Sequence, residues 1–139
     1  MKTLVLDANI LIRAVLGQRV RQLLIDHAQQ VNFFAADLAF DEARRHLPVI
    51  LEKRGVSAGP GLSVLEALTA VVCPLGSDLY GHLQRPALAR IAERDPDDWP
   101  TLACALLLGC PIWSEDADFF GTGVATWTTS RIGVFFKLG

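Results

Sequence analysis

Residues 3–12 read TLVLDANILI, and this stretch opens with an apolar run that predicts a buried β-strand over residues 3–6. The run ends at Asp7, and an apolar, helix-like stretch over residues 10–16 follows and stops at Gly17. In α/β proteins, ligands bind at the carboxyl ends of the strands. Asp7 is therefore the first candidate functional residue.

The rest of the chain alternates short apolar runs with helical periodicity, which is typical of an α/β domain. We predict further strands at residues 31–36, 70–75, 111–114 and 124–128. We predict further helices at residues 19–29, 37–54, 62–70, 78–94 and 98–108. Pro48 is expected to kink or break its helix, and Gly109 is expected to end the last one. The loop at 55–61 is too short to divide domains, so residues 1–139 are predicted to form a single domain.

The composition supports a folded domain with its own core, because 51% of the 139 residues are apolar. The apolar stretches are interrupted and fall short of about 18 residues, so we expect no membrane span. Asp7 interrupts the apolar N-terminal segment, which argues against a signal peptide and favours a cytoplasmic protein. The cysteines Cys73, Cys104 and Cys110 form no CxxC pair and are interpreted as reduced core residues.

Three more acids fall at the same edge of the predicted sheet as Asp7. Asp116 follows the strand over 111–114, and Asp98 opens the helix that leads back to that strand. Glu42 lies in the first two turns of the helix after the second strand. Because the carboxyl ends of parallel strands share one edge with the helix N-termini that follow them, the four carboxylates are expected to converge.

Four unpaired carboxylates in one crevice would repel each other, and divalent cations remove that repulsion. Oxygen ligands without His or Cys suit Mg²⁺ or Mn²⁺, and we expect one or two such ions. One ion lowers the pKa of an attacking water, and a second stabilises the leaving oxygen of a phosphodiester. The net charge of −2 does not exclude a nucleic acid, because setting four acids aside in a metal site leaves a basic excess.

Plainer interpretations stay open for several of these residues. Asp7 and Asp98 also stand where helix N-caps stand, and Asp98 shares an acidic turn with Asp95 and Asp97.

Neighbouring polar residues leave alternatives of their own. Asp41 directly precedes Glu42, which leaves open which of the two is the ligand. Asn9 is equally suited to orient Asp7 and to cap the helix that follows it. Ser114 and Asp118 either position a water or a metal ion, or they form a turn. Four arginines have two interpretations: they contact phosphates of the substrate, or they lie on solvated helix faces. They are Arg44, Arg45, Arg90 and Arg94.

Four segments together resemble the PIN domain family in order and spacing. They are LVLDANILI (4–12), DE (41–42), RDPDDWPTLACAL (94–106) and IWSEDADFF (112–120). The resemblance implies a three-layer α/β/α sandwich around a mainly parallel five-stranded sheet, with Mg²⁺- or Mn²⁺-dependent ribonuclease activity. It assigns catalysis and metal binding to Asp7, Glu42, Asp98 and Asp116, with Asp118 auxiliary.

Small single-domain proteins of this kind resemble the VapC-type toxins of type II toxin–antitoxin pairs. That resemblance implies an RNA substrate, a cognate antitoxin that holds the enzyme inactive, and a homodimer. Ser114 and Glu115 depart from the Thr and the polar or basic residue that many relatives carry, which weakens the toxin assignment without disturbing the acids.

Two rival functions remain. A haloacid-dehalogenase-type phosphatase also begins with a strand that ends in Asp, but it needs a second Asp two residues later, where this chain has Asn9. A catalytically weak PIN-like module that binds RNA or protein would keep the same fold. The presence of all four acids favours the enzyme.

Overall fold

A parallel sheet forms the centre of the computed structural model, which describes residues 1–138. Its five strands are β1 (Lys2–Leu6), β2 (Val31–Ala36), β3 (Val72–Leu75), β4 (Ile112–Trp113) and β5 (Thr126–Trp127). They lie in the order β3-β2-β1-β4-β5, and each neighbouring pair is parallel. The first strand of the chain is therefore the central strand of the sheet.

Helices cover both faces of this sheet. They are α1 (Ala8–Leu16), α2 (Gln18–His27), α3 (Asp37–Lys53), α4 (Ala58–Ala67), α5 (Ser77–Tyr80), α6 (Gln84–Ile91), α7 (Trp99–Leu108) and α8 (Ile132–Lys137). Crossovers between parallel strands are right-handed, so α1–α4 cover one face and α5–α7 the other. Accordingly α1 packs against α2, α3 and α4, whereas α7 packs against β1, β2 and α6. The predicted three-layer α/β/α fold is confirmed.

The burial of β1 explains why its sequence is apolar without alternation. Leu4, Val5 and Leu6 are all fully buried. A central parallel strand has neighbours on both sides and helices on both faces, so these three consecutive side chains all enter the core, whereas Lys2 and Thr3 at its start are partly buried.

Prolines account for the largest differences from the predicted helices. Pro60 and Pro86 stand in the first turns of α4 and α6, where a missing N–H costs no hydrogen bond. As a result residues 58–61, predicted as loop, are helical, and the predicted helix 78–94 is divided by a 3₁₀ turn at Gly81–Leu83.

Other predicted elements differ less. α3 continues through Pro48 without a break, and Leu47 and Leu51 are buried before and after it. β3, β4 and β5 are shorter than predicted. Gly109 ends α7 as predicted, with a left-handed φ of 62°. Of the cysteines, Cys104 is buried, Cys110 is partly buried, and Cys73 is exposed, so the core interpretation of Cys73 was wrong.

Among the described residues, no helix has both the length and the apolar character that a membrane crossing requires.

The central position of β1 predicts a large effect of truncating one of its side chains. Leu4→Ala should lower the free energy of unfolding by about 2–5 kcal/mol, because it leaves a cavity between two packed layers. Leu79→Ala, at a residue that is 51% exposed, should change it by less than about 0.5 kcal/mol. Urea unfolding followed by circular dichroism measures both, and equal effects would contradict this account of the core.

Candidate active site

A cavity of about 600 Å³ opens at the carboxyl edge of the sheet. The acids that line it are Asp7, Glu42, Asp95, Asp97, Asp98 and Asp116. The apolar residues that line it include Ile12, Leu38, Ile50 and Trp99. The structure thus brings the four predicted acids to one cavity, together with two acids from the turn before α7.

Asp7 is held at the end of β1 by two hydrogen bonds. It is 5% exposed, and its Oδ1 accepts a hydrogen bond from the Ile10 amide at 3.1 Å. Its Oδ2 accepts a hydrogen bond from the Ser114 hydroxyl. Asp7 therefore caps α1 and faces the cavity at once, so its two interpretations are compatible. Burial raises the pKa of Asp7 to about 7 against the effect of these hydrogen bonds, and the charges of Asp116 and Glu42 add to the rise.

Ser114 connects the two acids that follow strands. It is fully buried at the end of β4 and donates its hydroxyl proton to Asp7. The same oxygen accepts a hydrogen bond from the Asp116 amide at 2.8 Å. Ser114 thus orients both carboxylate-bearing segments from inside the protein.

Asp98 occupies the N-cap position of α7 without capping it. A 3₁₀ turn at Pro96–Asp98 leads directly into the helix, and Asp98 has φ −83° and ψ 1° instead of the extended backbone of a capping residue. No capping hydrogen bond forms, and Oδ2 is buried without a hydrogen-bond partner. Burial raises the pKa of Asp98 to about 8, and the charges of Asp95 and Asp116 contribute.

The tightest group of acids includes one residue that the sequence analysis did not select. Asp95, Asp98, Asp116 and Asp118 each offer a carboxylate oxygen, and these oxygens lie within 4.8 Å of one another. Asp95 begins the 3₁₀ turn and accepts a hydrogen bond from the Asp97 amide at 3.0 Å. The spacing of three residues between Asp95 and Asp98 around a Pro turn was the available signal.

The structure separates two pairs of neighbours on α3. Glu42 and Arg45 line the cavity. Asp41 and Arg44 lie outside it, where Arg44 pairs with Asp41 at 2.9 Å and with Glu66 at 2.8 Å. Glu42 is therefore the better placed of the two adjacent acids, and Arg44 is already neutralised.

Asn9 lines the cavity from the first turn of α1. Its Oδ1 is buried without a hydrogen-bond partner, so it neither caps the helix nor bonds to Asp7. Asn9 and Asp98 thus each have a buried oxygen without a partner, and both residues line the cavity that the other carboxylates line. Buried polar atoms normally have partners, and this all-oxygen set fits a hard divalent cation such as Mg²⁺ or Mn²⁺.

Comparison with known proteins identifies the relatives of this fold. The family model described as PIN domain matches residues 5–137. No curated protein sequence matches the chain.

Solved structures with the same fold are distant in sequence. A chain of VapBC2 from Rickettsia felis, bound to a promoter DNA fragment, is 13% identical with a TM-score of 0.66, covering 91% of this chain and 98% of that one. A chain of DNA-bound VapBC from Salmonella typhimurium is 15% identical with a TM-score of 0.67, covering 93% and 99%. A chain of FitAcB from Neisseria gonorrhoeae is 19% identical with a TM-score of 0.56, covering 91% and 98%. At these identities the likeness concerns the fold.

The raised pKa values predict how stability depends on pH in the absence of divalent ions. Between about pH 4 and pH 8 the folded state retains protons on Asp7 and Asp98 that the unfolded chain has released. The free energy of unfolding in EDTA should therefore fall as the pH rises through this range. Urea unfolding at pH 5, 6, 7 and 8 measures the slope.

Asp98→Asn should reduce the pH dependence of the free energy of unfolding, most clearly in the upper part of this pH range. Asp97→Asn, at an exposed neighbour, should leave that dependence unchanged. Stability that rises with pH in the wild-type protein would contradict this description of the site.

Proposed function

This chain belongs to the PIN domain family, and from that premise we propose that it is a Mg²⁺- or Mn²⁺-dependent endoribonuclease. The observation that carries the proposal is Asp98, which has a buried oxygen without a partner and whose carboxylate lies close to those of Asp95, Asp116 and Asp118. A protein gains nothing in stability from such an arrangement unless a cation binds there.

The residues that would hold one or two ions are Asp7, Glu42, Asp98 and Asp116, which line one cavity. Asp98 and Asp116 also group closely with Asp95 and Asp118, whereas Asp7 and Glu42 lie outside that group. A divalent ion bound there lowers the pKa of an attacking water and stabilises negative charge on the leaving oxygen. Ser114 keeps Asp7 and Asp116 in fixed orientations, so little reorganisation is needed when the ion binds.

The rest of the cavity suits a nucleic acid chain. Arg45 and His46 line it from α3 and offer donors to phosphate oxygens. Leu38, Ile50 and Trp99 give it an apolar wall on which unpaired bases can stack or pack. A single-stranded RNA placed with its phosphate at the carboxylates would have its bases toward this wall.

Cleavage of RNA tests the proposal directly. Purified wild-type protein with labelled single-stranded RNA and MnCl₂ should produce internal cleavage products, and EDTA should abolish them. Asp98→Asn should lower the cleavage rate on the order of 100-fold, because it removes an anionic ligand at the reacting phosphate. Denaturing gel electrophoresis measures the rates.

A matched pair of variants distinguishes the site from its surroundings. Glu42→Gln should also lower the rate, whereas Asp41→Asn, one residue away and outside the cavity, should keep it within about twofold of wild type. Equal RNA cleavage by wild type and Asp98→Asn would sink the nuclease assignment. RNA binding without cleavage would favour the PIN-like binding module, and hydrolysis of a phosphomonoester would favour the phosphatase.

We further propose that the chain is the toxin of a type II toxin–antitoxin pair that acts in the cytoplasm. The structures of similar fold are VapBC and FitAB complexes, several of them bound to DNA. By analogy this chain would bind a small cognate antitoxin that also binds DNA, and would form a homodimer. Fold analogy is the support for this part of the proposal.

Growth of a bacterial host provides its test. Induced wild-type protein should arrest growth, whereas Asp98→Asn at the same expression level should not. If an adjacent reading frame encodes a small DNA-binding protein, its co-expression should restore growth. Unimpeded growth with active, soluble wild-type nuclease in the cells would contradict the toxin assignment while leaving the nuclease assignment intact.

A further inference from the structure

Two arginines, one in the last turn of α6 and one in the turn after it, bind the loop that follows Asp116. We call residues 117–124 the site loop. Arg94 Nη1 donates a hydrogen bond to the backbone oxygen of Asp118 at 3.0 Å and another to that of Phe120. Arg90, four residues earlier, donates from its Nη1 to the backbone oxygen of Thr122 at 2.8 Å. These contacts link the segment before Asp95 to the loop that carries Asp118.

Glycines make this close approach possible at two positions of the site loop. Gly121 and Gly123 have φ of 84° and 87°, in the left-handed region that favours glycine. A Cβ atom on Gly121 would lie 2.9 Å from Arg94 Nη2, and one on Gly123 would lie 2.6 Å from Arg90 Nη1. The left-handed backbone therefore favours glycine at both positions, and a Cβ at either would displace the flexible guanidinium group from its present contact.

The guanidinium groups bind carbonyl oxygens and leave the carboxylates free. Among the described residues, the ion pairs within 4.0 Å are those of Arg44 with Asp41 and Glu66. Arg94 therefore forms no ion pair with Asp95 or Asp118, although it adjoins one in sequence and bonds to the backbone of the other. Its hydrogen bonds fix the loop without occupying the oxygens of the acidic cluster.

We propose that Arg94, assisted by Arg90, is a positioning residue that keeps Asp118 within the acidic cluster so that the cluster can bind a divalent cation. The inference rests on the proposed function for its purpose, and on the contacts of the site loop for its mechanism. Asp95, Asp98, Asp116 and Asp118 repel one another when ionised, and Asp118 lies on a loop that this repulsion would displace. Charge-assisted hydrogen bonds from the arginines oppose that displacement.

The change in cation affinity distinguishes positioning from simple electrostatics. Removing a positive charge beside four carboxylates should, by Coulomb's law alone, strengthen the binding of Mn²⁺. Loss of a positioning contact should instead weaken it, by about tenfold in the dissociation constant. We expect Arg94→Gln to weaken the binding of MnCl₂, measured by isothermal titration calorimetry of the full chain.

Two further variants complete this measurement. Arg85→Gln removes the same charge at an exposed residue of α6 and should leave Mn²⁺ affinity nearly unchanged. Gly121→Ala keeps both arginines but forces the loop away from Arg94, so it should weaken Mn²⁺ binding as well. Unchanged or tighter binding by folded Arg94→Gln would overturn the proposal.

Hydrogen exchange in EDTA tests the same contacts without any metal. The amides of Phe119, Phe120 and Thr122 donate hydrogen bonds within the site loop. In Arg94→Gln they should exchange at least about tenfold faster than in wild type, while the amides of β1 keep their protection. Unchanged exchange would overturn the positioning role. A third outcome combines two results: the wild-type protein binds no Mn²⁺, and Arg94→Gln exchanges faster than wild type. That outcome would refute the proposed function and support the loop contacts.

Discussion

Repulsion between like charges at the carboxyl edge of the sheet is the constraint that the surrounding structure has to balance. Asp7 is buried there beside Glu42 and Asp116, and the turn before α7 adds Asp98. The Ser114 hydroxyl and the Ile10 amide give Asp7 two hydrogen bonds, whereas Asp98 keeps a buried oxygen without a partner. A divalent cation bound among these oxygens, as proposed, would therefore stabilise the folded protein.

The sequence was sufficient to predict that Asp7 and Asp116 share one edge of the sheet, because their positions follow from the strands. An unbroken apolar run is needed for a strand with neighbours on both sides, and TLVL (3–6) has that character before Asp7. The run before Asp116 is short but equally buried. Once both strands are parallel, the residues after them must share an edge, although they are far apart in the chain.

Details that depend on a few backbone angles were beyond reach of the sequence pattern. A helix cap was the plainer alternative for Asp98, yet the 3₁₀ turn that ends at this residue leaves its backbone at ψ 1° and its side chain without a capping bond. That same turn brings Asp95 into the cluster, where sequence showed only an acidic neighbour. Similarly, Arg44 and Arg45 are adjacent in sequence, and the salt bridge from Arg44 to Glu66 on α4, which adds to its local pair with Asp41, depends on the folded chain.

The order of the strands also decides when the site can form during synthesis. The hydrogen bond from Ser114 to Asp7 joins residues 107 positions apart, and β1 completes its pairing only when β4 is available. Contacts of such long range form late, because the intervening chain must first be ordered. A nascent chain therefore carries Asp7 and Glu42 without a finished acidic edge until the segment around Ser114 has left the ribosome. If the proposed ribonuclease activity needs that edge, incomplete copies would be inactive while they are still attached to the ribosome.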